Sequence, residues 1–369
     1  SNFGLHVDVW MLNVILPVGI SFYTFHGLSY VIDIYKSRIK AERNFVDYAV
    51  FVSFFPLLVA GPIERATHLL PQIKKERKFD YDKAVNGLRQ ILWGLFKKIV
   101  IADNCARFAN LIFNNSAEYS GSSLVIGALF FTFQIYGDFS GYSDIAIGTA
   151  RLFGIDLLRN FAFPYFSRDI AEFWRRWHIS LSSWFRDYLY IPLGGSKGSK
   201  LFQIRNVMII FLVSGFWHGA NWTYIAWGLI NALYFIPLMV LNKNRSNMDN
   251  FKLTLNVDSL RILMNIILTF GITCVAWIFF RSKTIHDAFA YIRRMFTEGH
   301  FTEQYFKIER YTTELWSLLL IFVLVEWNSR TKIEPISGQY SWLKVSLCMA
   351  AILALGVFSD YKEFIYFQF

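Results

Sequence analysis

Residues 206–242 read NVMIIFLVSGFWHGANWTYIAWGLINALYFIPLMVLN, the longest stretch of this chain without an Asp, Glu, Lys or Arg. A helix needs about 20 apolar residues to cross a hydrocarbon core. The run is therefore long enough for two crossings, hinged near Gly219–Asn221. His218 sits at that hinge, flanked by Gly215 and Gly219 and followed by Asn221. The pattern lets a helix break, and membrane depth tolerates broken backbone only against protein or a wet cavity. An ionisable side chain in such a run is kept where it has a partner or a task. Two readings follow: a titratable base facing a pocket between helices, or a neutral structural His bonded to a neighbouring helix. The first is favoured.

Composition agrees with a membrane protein. Hydrophobic residues make up 54% and charged residues 17%, against about 25% charged in soluble domains, and the mean hydropathy is +0.34. Residues 9–32, 119–137 and 262–280 also lack charge and are expected to span. Residues 315–325 and 345–359 are shorter apolar runs that their flanks extend. Residues 48–63, with Pro56, Gly61 and Pro62, read as a re-entrant or half-buried segment. The fold class is all-α, a polytopic membrane protein. The net charge is +10, with 37 Lys and Arg concentrated at 36–43, 65–78 and 168–205. These short loops fit a positive-inside bias and are assigned to the cytoplasmic side. They argue against nucleic acid as a ligand. They would also suit a phosphorylated donor or an acidic carrier protein. Cys105, Cys274 and Cys348 are scattered, without metal-ligand or disulfide spacing, so no metal site is expected. The polar residues 243–259 read as a loop outside the membrane, and 287–296 as a surface helix.

Residues 170–185 carry apolar side chains at Ile170, Phe173, Trp174, Trp177, Leu181, Trp184 and Phe185, which is helical spacing on one face. Asp169 is placed to cap this helix, with Glu172 three residues on. Arg175 and Arg176 fall off the stripe. A Trp-rich helix with basic residues opposite is expected to lie in the membrane interface. His178 falls at the edge of the apolar face, where an interfacial His is the plainer reading. Small-residue motifs stand at 60–65 (AGPIER), 134–144 (QIYGDFSGYSD) and 191–196 (IPLGGS). Asp138 and Asp144 follow an uncharged span and are expected to pair with an Arg of the interfacial helices.

Six segments together resemble the membrane-bound O-acyltransferase family: FVSFFPLLVAGPIER at 51–65, GLFKKIVIAD at 94–103, QIYGDFSGYSDIAIG at 134–148, NFAFPYFSRDIAEFWRRWHISLSSWFRDYLYIPLGG at 160–195, GFWHGANWTYIAWG at 215–228, and FIYFQF at 364–369. They run in family order over nearly the whole chain. The IPLGG ending is most similar to the bacterial alginate O-acetyltransferase branch, and less so to the D-alanyl branch serving teichoic acids. The resemblance implies a single domain over 1–369, with further transmembrane helices expected upstream. It implies a ring of helices, with interfacial helices, around a central catalytic tunnel, and a catalytic His near the middle of a thin wall.

The same resemblance implies site roles. His218, in WHGA, matches the catalytic histidine, and His178, in RRWH, the second motif histidine. The implied activity is transfer of an acyl group, acetyl by branch, from a cytosolic thioester to hydroxyls of an exopolysaccharide or cell-wall polymer. Acetyl-coenzyme A or an acyl carrier would be the donor substrate, with no bound cofactor. An extracytoplasmic hydrolase-like (SGNH) acyltransferase would be the partner, and the bacterial cytoplasmic (inner) membrane the location. Arg175, Arg176 and Arg186 are candidates for holding an anionic donor; surface anchoring, or pairing with Glu172 or Asp187, is the plainer reading of each. Tyr366 is either part of an aromatic belt or an acyl relay. No serine or cysteine stands in a nucleophile-elbow pattern. A flippase for a lipid-linked sugar would also use broken helices, but the chain lacks paired interrupted repeats.

Overall fold

A computed structural model describes residues 19–249, 251, 256–299, 312–331, 336–338 and 340–358. Every regular element among them is a helix. In chain order these are α1 (Ile20–Tyr35), α2 (Phe45–Ser53), α3 (Ala66–Lys74), α4 (Tyr81–Leu95), α5 (Asp103–Asn114), α6 (Gly121–Leu152), α7 (Ile170–Arg176) and α8 (Ile179–Phe185). They continue as α9 (Lys200–His218), α10 (Trp222–Val240), α11 (Val257–Arg281), α12 (Ile285–Thr297), α13 (Thr312–Ser329) and α14 (Ser341–Leu355). By length and composition α6, α9, α10 and α11 are able to cross a membrane.

The axis of the fold is α6. Its 32 residues extend about 48 Å at 1.5 Å per residue. The helix runs on through the QIYGDFSGYSD motif, beyond the end expected at 137. Both carboxylates in that motif are neutralised from outside the helix. Between α4 and α5 the chain forms a π-helical turn, Phe96–Ala102, which directs two lysines at α6. Lys97 Nζ lies 2.6 Å from Asp144 Oδ2, and Lys98 Nζ 2.8 Å from Asp138 Oδ1. The expected arginine partners are thus replaced by lysines. The arginines of α7 are engaged elsewhere, as described below. An unpaired buried charge is strongly unfavourable, so the π turn and α6 depend on each other.

The uncharged run falls in two helices, α9 and α10, each long and apolar enough to cross a membrane. Ser199 caps α9 and Asn221 caps α10, each accepting a backbone N–H on its side-chain oxygen. Glycines let the two helices touch: a Cβ on Gly215 would stand 2.3 Å from the carbonyl oxygen of Tyr224, and one on Gly228 2.3 Å from that of Phe211. Such close approach is the usual use of small residues between membrane helices. At 48–63, α2 gives way to a short 3₁₀ turn, Phe55–Leu57, and Phe51, Leu57, Ala60 and Ile63 are buried within the protein. The surface helix expected at 287–296 is α12, which rests on the core through Ala288 and Tyr291. The three cysteines are buried and free.

Candidate catalytic cavity

A cavity of about 850 Å³ lies between α7, α8, α9, α10 and α11. One face of α9 lines it from end to end, through Lys200, Gln203, Val207, Phe211, Ser214 and His218. These residues recur three and four apart, the spacing of one helical face. Eighteen residues separate the first from the last, about 27 Å along the axis. The two ends differ in chemistry. Lys200 shares the mouth with Arg175, Arg186 and Arg245, while the deep end is walled by His178, His218, Trp227, Trp277 and Phe280.

His218 is the last residue of α9, so the hinge of the uncharged run is also the end of the cavity. Its ring stands edge-on to Trp227, with centroids 5.2 Å apart and planes at 89°, and to Phe280 at 5.0 Å and 81°. Measured along α9, it lies at the carboxy-terminal end of the helix.

The segment expected to form one interfacial helix is two short helices in the core. After Trp177, which closes α7 by bonding its N–H to the Phe173 carbonyl, His178 takes the left-handed conformation (φ 42°, ψ 54°). Non-glycine residues rarely adopt that region, and it is held only where the surroundings over-determine it. Asn160 does so here. Its backbone carbonyl accepts the Ile179 N–H at 2.9 Å, and its side-chain oxygen lies 3.3 Å from His178 Nδ1. Phe139 of α6 packs edge-on against the imidazole at 4.7 Å. His178 is 2% exposed, which corrects the interfacial reading. The helical spacing belongs to both short helices, and the break between them is a tertiary effect.

The three candidate arginines have separate surroundings. Arg175 donates to the backbone carbonyls of Asn244 and Asn247, at 2.8 and 2.9 Å. Arg186 bonds Asp187 at 2.7 Å. Both line the cavity. Burial lowers the Arg175 guanidinium, with Asp169 and Glu172 opposing, whereas the bond to Asp187 raises that of Arg186. Arg176 turns to the buried Glu172 at 2.8 Å and to the carbonyl of Ala162; it is absent from the cavity lining. Lys200 and Arg245 are mouth residues that the reading of the sequence missed. Lys200 was discoverable from the stripe it shares with His218, but Arg245 comes from a loop with no local signal. Tyr366 lies outside the described residues. Among the described residues no cluster of three or more His, Cys, Asp or Glu is arranged to hold a metal ion.

The model of the membrane-bound O-acyltransferase family matches residues 35–254, which contain α1 from its last residue through α10, and both histidines. A "Probable alginate O-acetylase" of Azotobacter vinelandii is 38% identical over 88% of this chain and 62% of its own length. A "Peptidoglycan O-acetyltransferase" of Helicobacter pylori is 39% identical over 80% of this chain and 60% of its own length. A "Teichoic acid D-alanyltransferase" of Bacillus subtilis is 29% identical over 74% of this chain and 71% of its own length. The chain thus spans about three fifths of the length of the two O-acetylating relatives. With residues 35–254 of the chain matched by the family and both motif histidines in one cavity, this protein belongs to the membrane-bound O-acyltransferase family.

Proposed function

We propose that this chain is an O-acetyltransferase, moving an acetyl group from a cytosolic thioester to hydroxyls of an exopolysaccharide or cell-wall polymer. One observation carries the reading: a single cavity follows α9 from a cationic mouth at Lys200 to His218, about 27 Å along the helix, and is also lined by His178. That shape suits a long, slender thioester arm with phosphate at its outer end, as in coenzyme A or a carrier protein's prosthetic arm. Arg175, Arg186, Lys200 and Arg245 would attract the phosphate. The higher identity to O-acetylating relatives than to the D-alanylating one favours acetyl.

The chemistry needs a base and stabilisation of an oxyanion. His218 takes the acceptor's hydroxyl proton as that oxygen bonds to the thioester carbonyl carbon. The tetrahedral intermediate collapses, the C–S bond breaks, and the proton passes from His218 to the thiolate. A neutral imidazole suits the role near neutral pH. The expected setting is multi-pass, in a bacterial cytoplasmic membrane, with acceptor and hydrolase-like partner on the far side. A relayed form of the same transfer makes the Tyr366 hydroxyl the first acceptor, giving up its proton to His218 as its oxygen takes the acetyl group, and then regaining a proton when the polymer hydroxyl displaces it; Tyr366→Phe with undiminished acetyl export would remove this form. The reading as a whole is tested with membranes given acetyl-labelled coenzyme A. Label appearing on polymer or protein supports it. Label accepted only from D-alanyl carrier would move the chain to the D-alanyl branch.

A further inference from the structure

The AGPIER motif and Asn160 have no part in the chemistry above, yet both are wired to His178. The backbone N–H of Ile63, inside AGPIER, donates to Ser180 Oγ at 2.9 Å. Ser180 in turn donates its own proton to Asn160 Oδ1. The other amide atom, Asn160 Nδ2, donates to Ser143 Oγ of α6 at 2.9 Å. In this network the amide oxygen faces Ser180 and the amide nitrogen faces Ser143, an orientation assigned from the hydrogen bonds. An amide oxygen accepts and cannot donate. With the amide so oriented, the contact of 3.3 Å between its oxygen and the imidazole is a hydrogen bond when the proton sits on His178 Nδ1. The neutral ring then carries its lone pair on Nε2. Among the described residues Nε2 is buried and has no hydrogen-bond partner, and His178 lines the cavity. Asn160 and Ser180 are themselves 0% and 1% exposed, so water does not compete for these bonds.

We infer that Asn160, clamped by Ser180 and the AGPIER loop, is a positioning residue that fixes His178 as the Nδ1–H tautomer and presents Nε2 to the substrates as a hydrogen-bond acceptor. In this form His178 does not donate to the oxyanion. It receives an O–H or N–H of a substrate, other than the hydroxyl proton that His218 removes: a neighbouring hydroxyl of the acceptor or an amide of the thioester arm. The left-handed backbone at His178 is the conformation that this clamp enforces.

The inference rests on the proposed acyl transfer for its consequence but not for its test. Nitrogen-15 spectra of histidine-labelled full-length protein in lipid report the tautomer directly, with His178→Gln identifying the signal. The expected result at neutral pH is a protonated Nδ1 and an unprotonated Nε2 at His178, and loss of that preference in Asn160→Leu and Ser180→Ala. A wild-type His178 protonated on Nε2, or a tautomer unmoved in Asn160→Leu, overturns the assignment whether or not the protein transfers acetyl groups. Where transfer is measured, Asn160→Leu should lower it by about tenfold, as for loss of one hydrogen bond to a substrate. The substrate whose KM rises, donor or acceptor, is the one that bonds Nε2. If Asn160→Leu fails to fold, Ser180→Ala carries the same spectral test, and an unmoved tautomer there removes the clamp.

Discussion

The α9–α10 hairpin presents His218 on the end of a regular helix, whereas the α7–α8 segment presents His178 on a left-handed residue between two seven-residue helices. The hairpin is stabilised by close helix packing, through Gly215 and Gly228, and by caps at Ser199 and Asn221. The α7–α8 segment depends on directed bonds from a remote asparagine. Packing tolerates small adjustments of a side chain, but a hydrogen-bonded clamp fixes the orientation of a ring. The difference assigns the two histidines different requirements: His218 needs a surface and a proton path, and His178 needs one tautomer.

The α7–α8 segment packs on α6 through Phe139 and His178, so the largest effect should come from breaking the anchor of α6. Lys97→Met leaves Asp144 without its ion-pair partner. We expect a loss of about 3 kcal/mol, as for one-sided removal of a buried pair, read as a lower unfolding temperature in detergent, with partial recovery in Lys97→Met/Asp144→Asn. Next, Gly228→Val drives a side chain into the Phe211 carbonyl. It should cost about 2 kcal/mol, in the range of overpacking, and should disturb the His218 end without changing the His178 tautomer. That separation is the sharpest test of the contrast between the two regions. Arg186→Glu alters only the mouth. The donor KM should rise about tenfold by loss of electrostatic attraction, with protein level kept and the effect shrinking at high salt. The smallest change is Asn221→Ala, which removes the cap of α10 and a bond to the Lys283 carbonyl, for about 1 kcal/mol.

Much of this architecture is readable in the residues alone, because uncharged runs mark spans and the hinge at 219–221 marks a turn. What escaped has a common cause: the deciding partner is distant in sequence. The span at 119–137 continues to Leu152 because Asp138 and Asp144 are neutralised by lysines some 40 residues earlier. The break at His178 is invisible locally, since neither Trp177 nor His178 is a helix breaker; Asn160 and the AGPIER loop impose it. The site's two histidines were named from their motifs, while Lys200 and Arg245 emerged only when the helices were assembled around the cavity.

The central claim is that His218 is the base for acyl transfer, and it is tested most directly by one comparison. Membranes holding wild-type protein or His218→Ala, at matched levels and with equal thermal stability, are given acetyl-labelled coenzyme A together with the native partner proteins. The account predicts label on protein or polysaccharide with wild type, and a rate lower by about 10²–10⁴-fold with His218→Ala. Transfer by His218→Ala at a near-normal rate would contradict it.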